Sequence, residues 1–140
     1  MNKDIISKAI NMISVAGMTA TIGLHDNNRN ISVCAISCIK TEGLDVAWFS
    51  TNTTERKADL IRKDNRVGVC FFNEQNNISL TGEAEIITDD KLKKEMWLDW
   101  FDNHYKDGPT DKDYCLIKVT VEHVRLYVDD DIADFNIGSN

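Results

Sequence analysis

Six or seven short β-rich runs, separated mainly by turn residues, fill the chain from Met18 to Val128. Strands this short and this closely spaced leave little choice but an antiparallel sheet that curls on itself. Met18–His25, Asn30–Lys40 and Leu44–Ser50 are rich in β-branched and apolar residues. They are punctuated by Asp26-Asn27-Asn28-Arg29 and by Thr41-Glu42-Gly43, which is turn chemistry, so the three read as a meander. Arg66–Asn73 places Val67, Val69 and Phe71 on one face. Asn77–Ile87 alternates in the same way, with Ile78 and Leu80 opposite Ser79 and Thr81. Gly82 interrupts that alternation, which suggests a bulge or a close backbone approach. Tyr114–Val121 and Val124–Val128 close the series as a final pair. Three helices complete the pattern. Lys3–Ala16 repeats Ile6, Ile10 and Ile13 at helical spacing and stops at Gly17. Thr54–Lys63 is a short helix. A third, capped by Thr88 and begun by Asp89 and Asp90, carries Met96, Trp97, Trp100 and Phe101 before Asp107-Gly108-Pro109 breaks it. The expectation is a mainly β fold, a closed or nearly closed antiparallel barrel with peripheral helices.

The 140 residues suit one domain spanning 1–140, with an N-terminal helix through residue 17 and a tail over 129–140. A net charge of −7 argues against nucleic acid as a main partner and against anionic membrane surfaces. No apolar run approaches the roughly 20 residues of a membrane span. Met1-Asn2-Lys3-Asp4 leads into an amphipathic segment and not into a signal peptide. Cys34, Cys38, Cys70 and Cys115 form no C-x-x-C pair and have no histidine at ligand spacing, so they read as buried free thiols in a reducing cytoplasm. Cys34 and Cys38 share a strand face, but about 13 Å at ~3.3 Å per residue is too far for a disulfide. The Asp129-Asp130-Asp131 run reads as a solvated end in preference to a metal site.

Nucleophile elbows, zinc-protease helices, P-loops and dinucleotide fingerprints are absent. His25, His104 and His123 lie in separate segments, the first two in turns or loops and the third at a strand end. Any chemistry would come from a cofactor, and no catalytic residue can be named. One segment invites an anion. After Trp48-Phe49, the hydroxyls of Ser50 and Thr51 end a strand, and Arg56 and Lys57 fall in the first turn of the next helix. A helix N-terminus disfavours cations by a few tenths to ~1 kcal/mol, and a bound phosphate would reverse that. The same pattern also fits a capped helix with a solvated basic face, and spacing does not separate the two.

Trp48-Phe49-Ser50-Thr51 followed after four residues by Arg56-Lys57-Ala58 resembles the W-F-F-T-x-x-x-S-R-K pattern of the FMN-binding split barrels, the pyridoxamine 5′-phosphate oxidase-like family. The resemblance is nearest to its general stress protein 26 group. It continues in register: Asp64-Asn65-Arg66-Val67 resembles N-P-R-V, and Ile78–Glu85 resembles V-S-V-S-G-x-A-E. Asp107–Asp111 resembles a G-P-D-D loop after a tryptophan-bearing helix, and Leu116–Val119 resembles L-L-K-V. The likeness covers roughly residues 16–128.

The resemblance implies a six- to seven-stranded split barrel that holds FMN at the cleft of a homodimer. Arg56 and Lys57 match the phosphate-holding positions, and Ser50 and Thr51 the strand-end pair that contacts ribityl or phosphate oxygens. Lys40 matches the lysine that ends the second-strand motif, and Asn77 a polar group near the flavin. Ala35, Ile36 and Ser37 match the backbone beside the ring. Glu55 departs from the family's serine, Ala35 from its second-strand arginine, and Leu126-Tyr127-Val128 from its Tyr-Trp. Residues 129–140 lack the arginine- and histidine-bearing segment of the true vitamin B6 oxidases. The implied function is a flavin-dependent oxidoreductase of unknown substrate. The alternative is a binding module for flavin, haem or a deazaflavin, without turnover. Trp48, Phe49, Phe71, Phe72, Trp97 and Trp100 exceed what one small barrel can hold. They suggest a buried homodimer interface, unless the tryptophan helix caps its own barrel.

Overall fold

The computed structural model describes residues 3–138. The first element, α1 (Lys3–Ile13), buries Ile5, Ala9 and Ile13 against the barrel, with Ile6 and Ile10 half-buried beside them. It stops short of the expected Ala16. The Ser14 hydroxyl donates back to the Asn11 carbonyl at 2.8 Å, and Gly17 turns the chain with a φ of 83°.

The expected meander is present as β1 (Thr19–His25), β2 (Ile31–Glu42) and β3 (Val46–Asn52). The chain then passes through α2 (Arg56–Lys63) to β4 (Arg66–Asn73), which pairs with β1 on the side away from β2. Next come β5 (Asn76–Ile87), α3 (Asp90–Glu95), β6 (Tyr114–Val128) and β7 (Asp131–Asn136). The strand order is β3-β2-β1-β4-β5-β6-β7, and β3 also pairs with β6. Six strands therefore close into an antiparallel barrel, with β7 added outside the ring.

β6 explains how the barrel closes. Its Tyr114–Thr120 portion pairs with β3, and its His123–Val128 portion pairs with β7. One long strand thus shares an edge between two partners, and β7 covers what β3 leaves open. Two sequence expectations are corrected here. The final pair of strands is a single strand: Glu122 and His123 do not break it, because they sit beside a bulge opposite Thr81 and Gly82. Residues 131–136 of the expected tail are the strand β7. Gly82 is required at the bulge, since a Cβ there would lie 2.0 Å from the Thr120 carbonyl oxygen.

The third helix is also shorter than its pattern suggests. It is capped by Asp89, whose carboxylate accepts the Leu92 N–H at 3.0 Å, and it ends at Glu95. Leu98 is extended, and Trp100 and Phe101 lie on a separate 3-10 segment, Asp99–Asn103. The aromatic side chains pack on one another, and Trp97 and Phe101 also pack on Tyr114. Two hydrophobic clusters result. Alternating aliphatic residues and the stacked pair Phe49–Phe71 fill the barrel. A second cluster forms outside it, where Trp48, Tyr114 and Leu116 meet Met96, Phe101 and Tyr105. All four cysteines are free; Cys38 and Cys115 are buried, and burial pushes the Cys38 thiol up to about 11. Among the described residues, no helix is long and apolar enough to cross a membrane.

Candidate functional site

The turn from β3 into α2 is held from several sides. The Asn52 side-chain oxygen accepts the Thr54 N–H at 3.0 Å and its hydroxyl at 2.9 Å, an Asx-type turn. Thr53 is tied to the loop before β6 through its N–H to the Asp113 carbonyl and its hydroxyl to the Lys112 carbonyl, both at 2.8 Å. Glu55 is the N-cap of α2; its carboxylate accepts the Lys57 N–H at 2.7 Å. The same oxygen lies 3.0 Å from the Lys57 ammonium. Burial pushes the Glu55 carboxyl up, but the Lys57 and Arg56 N–H groups and the Lys57 charge outweigh it and leave it below its usual value.

A cleft of about 470 Å³ opens beside this turn. Three segments line it. One is β2 at Ala35, Ile36 and Ser37, with Thr19 across from Ser37 on β1. The second is the end of β3, Ser50, Thr51 and Asn52, together with Lys57 of α2. The third is an aromatic wall of Trp100, Phe101, His104 and Tyr105. The volume and the mixture of apolar walls with a few polar groups are those of a small-molecule site.

The structure thus brings six of the nine sequence-derived site residues into one cleft: Ala35, Ile36, Ser37, Ser50, Thr51 and Lys57. The other three, Lys40, Arg56 and Asn77, do not line it. Arg56 lies next in sequence to Lys57 but turns away, donating to the Ser32 hydroxyl of β2 at 2.9 Å and lying 3.8 Å from the Asp26 carboxylate in the β1–β2 turn. Lys40 is exposed and paired opposite Trp48. Asn77 is half-buried on β5, between Phe72 and Tyr127. Sequence reasoning missed Thr19 and Asn52 and gave His104 no place in a site. It also placed the aromatic residues on a helix without assigning them to a wall. The density of aromatic residues on both sides of His104 was the available signal.

The aromatic wall is anchored from behind. Tyr114 donates its hydroxyl to the Lys93 carbonyl at 3.0 Å, and the buried Lys93 ammonium donates to the Asp111 carbonyl at 2.9 Å. Burial pushes the Tyr105 phenol up to about 12.

The family model described as pyridoxamine 5′-phosphate oxidase like matches residues 4–133. No curated protein matches the chain. Solved structures do. A protein from Clostridium acetobutylicum, related to general stress protein 26 of B. subtilis, is 24% identical with a TM-score of 0.87, covering 98% of this chain and 97% of that one. A pyridoxamine 5′-phosphate oxidase-related, FMN-binding protein from Nostoc punctiforme is 14% identical with a TM-score of 0.72, covering 98% and 96%. A haem-binding protein from Mycobacterium smegmatis is 13% identical with a TM-score of 0.73, covering 97% of this chain and 58% of that one. At these identities the structural likeness is one of fold, whereas the family model spans most of the sequence: the chain belongs to the pyridoxamine 5′-phosphate oxidase-like family.

Proposed function

We propose that this chain is an FMN-binding flavoprotein of the general stress protein type that works as a homodimer, with a small-molecule redox partner. The observation that carries the reading is the meeting of Ser50, Thr51 and Lys57 with the Ala35–Ser37 strand and an aromatic wall in one cleft. Their chemistry fits the cofactor. Hydroxyls and an ammonium suit phosphate and ribityl oxygens, and apolar and aromatic surface suits a flat ring. Ser50, Thr51 and Lys57 would hold the phosphate end, and the strand backbone and the aromatic wall would orient the ring and exclude water. Bound flavin supplies hydride or electron transfer. The four free thiols suit a cytoplasmic home. A second copy fits the outer face of β2, β1 and β4. There Ile31 and Val33 are 70% and 65% exposed, Phe72 is 58% exposed, and Gly23 and Gly68 keep the surface flat.

A second reading has one specific observation behind it. His104 lines the cleft, and an imidazole there could ligate haem iron. One experiment addresses cofactor and assembly together: sedimentation of the purified protein mixed with FMN or with haem, followed at the absorbance of each. The expected result is flavin absorbance travelling with a dimer, and about a tenfold loss of FMN affinity in Lys57→Ala with riboflavin affinity little changed. Absorbance at the haem band only would favour the second reading. Flavin carried by a monomer would overturn the dimer, and equal losses for both flavins would overturn the role of Lys57.

A further inference from the structure

The helix start beside the cleft carries its own anion. Short side chains are the usual helix N-caps, yet α2 is capped by a glutamate. One carboxylate oxygen of Glu55 engages both the Lys57 N–H, at 2.7 Å, and the Lys57 ammonium, at 3.0 Å. Those are a first-turn amide and the cation facing the cleft, the two groups that a phosphate at this helix end would use. The Lys57 side chain is only 17% exposed, so solvent screens the pair weakly on that side. Arg56 faces elsewhere, with its guanidinium against the Ser32 hydroxyl of β2 and near the Asp26 carboxylate of the β1–β2 turn. A phosphate entering here would either lie against a carboxylate or drive Glu55 out into solvent. The Glu55 side chain is 40% exposed, which leaves that second path open at the cost of its capping bond.

We propose that Glu55 is an internal competitor of a ligand's phosphate for Lys57 and the first turn of α2, and so determines how strongly the cleft prefers a phosphorylated ligand to its phosphate-free analogue. The identity of the ligand rests on the flavin reading above; the competition does not, and inorganic phosphate probes it alone.

The test compares the wild-type chain with Glu55→Ser, which keeps a short capping group, and Glu55→Gln, which keeps the length and removes the charge. Circular dichroism establishes that each is folded. In flavin titrations both variants should bind FMN about fivefold more tightly than the wild type, the size of one partly exposed charge pair, with riboflavin affinity unchanged. Inorganic phosphate should raise the melting temperature of both variants more than that of the wild type. Folded variants whose FMN affinity is unchanged or weaker would overturn the proposal. So would a phosphate response equal in all three proteins, including no response in any. If none of the three binds flavin, the flavin reading falls and the phosphate comparison decides the competition by itself.

Discussion

The inside of the barrel and the aromatic wall outside it are both hydrophobic clusters, yet they are built on different rules. The barrel interior takes every second residue of its strands: Val67, Val69 and Phe71 from β4, Ile78 and Leu80 from β5, Val124 and Leu126 from β6. Among the described residues, it contains no buried charge. The outer cluster takes the opposite faces of the same strands, Trp48 of β3 with Tyr114 and Leu116 of β6, and covers them with an irregular segment carrying Trp97, Phe101 and Tyr105. Among the described residues, the two buried charged side chains, Lys93 and Asp111, both stand beside this outer cluster. The barrel is held by burial over a closed hydrogen-bonded sheet. The wall is held by ring contacts and a few polar anchors, and it is the wall that borders the cleft. A rigid scaffold with a less uniformly stable segment over its site is a common arrangement for ligand binding.

The largest test of that contrast removes one ring from each cluster. Phe71→Ala should cost about 3–5 kcal/mol, because the closed sheet cannot collapse around the missing ring. Phe101→Ala, equally buried, should cost roughly half as much, because an irregular segment can resettle. It should still weaken ligand binding, which Phe71→Ala should affect only through folding. Denaturant unfolding followed by circular dichroism checks both, and equal losses would erase the distinction. A smaller effect is expected for Tyr114→Phe. It keeps the ring packing but removes the hydroxyl bond to the Lys93 carbonyl, a loss of about 1 kcal/mol. The Tyr114 phenol is strongly disfavoured as an anion by burial, so this cost should not vary across neutral and mildly alkaline pH.

The smallest expected effect is one of acidity. The N–H groups of Asp113 and Asp107 donate to the Asp111 carboxylate at 2.8 and 3.1 Å and hold its carboxyl below its usual value. A folded value below the unfolded one means that the stabilisation is complete at neutral pH. It is lost as pH falls through the ordinary carboxylate range and then through the folded value. Acid should therefore loosen the wall first. Tryptophan fluorescence, from Trp100 of the wall, Trp97 packed on Phe101 and Trp48 in the cluster behind, should change before the far-ultraviolet signal of the barrel does. Coincident transitions would show that the two clusters unfold as one.

The same contrast explains what could be read in advance. Inward alternation in β4 and β5 was legible because a strand with one face in a core repeats every second residue whatever its neighbours are. Gly82 was legible as a bulge or close approach, and the Thr120 carbonyl beneath it is the reason. The wall was not legible: Trp97, Trp100 and Phe101 fit a helical repeat in sequence, but Trp97 and Phe101 pack on Tyr114 of β6 and share a cluster with Trp48 of β3, contacts that only the folded sheet supplies. β7 was missed because Asp131, Asp134 and Asn136 look like a solvated tail until the free edge of β6 is in place.

At the candidate site the division is similar. Ser50, Thr51 and Lys57 could be named from their order along the chain, because a strand end followed by a helix start is a local arrangement. The parting of Arg56 from Lys57 could not, since it depends on Ser32 and Asp26, which only the folded sheet brings near. By itself the sequence determined where the barrel strands lie and how β4 and β5 face, which follow from short-range periodicity, and its motifs carried the resemblance to the family. The tertiary structure alone decided which side chains share the cleft and that Glu55 already occupies Lys57, because both depend on contacts made by the folded backbone.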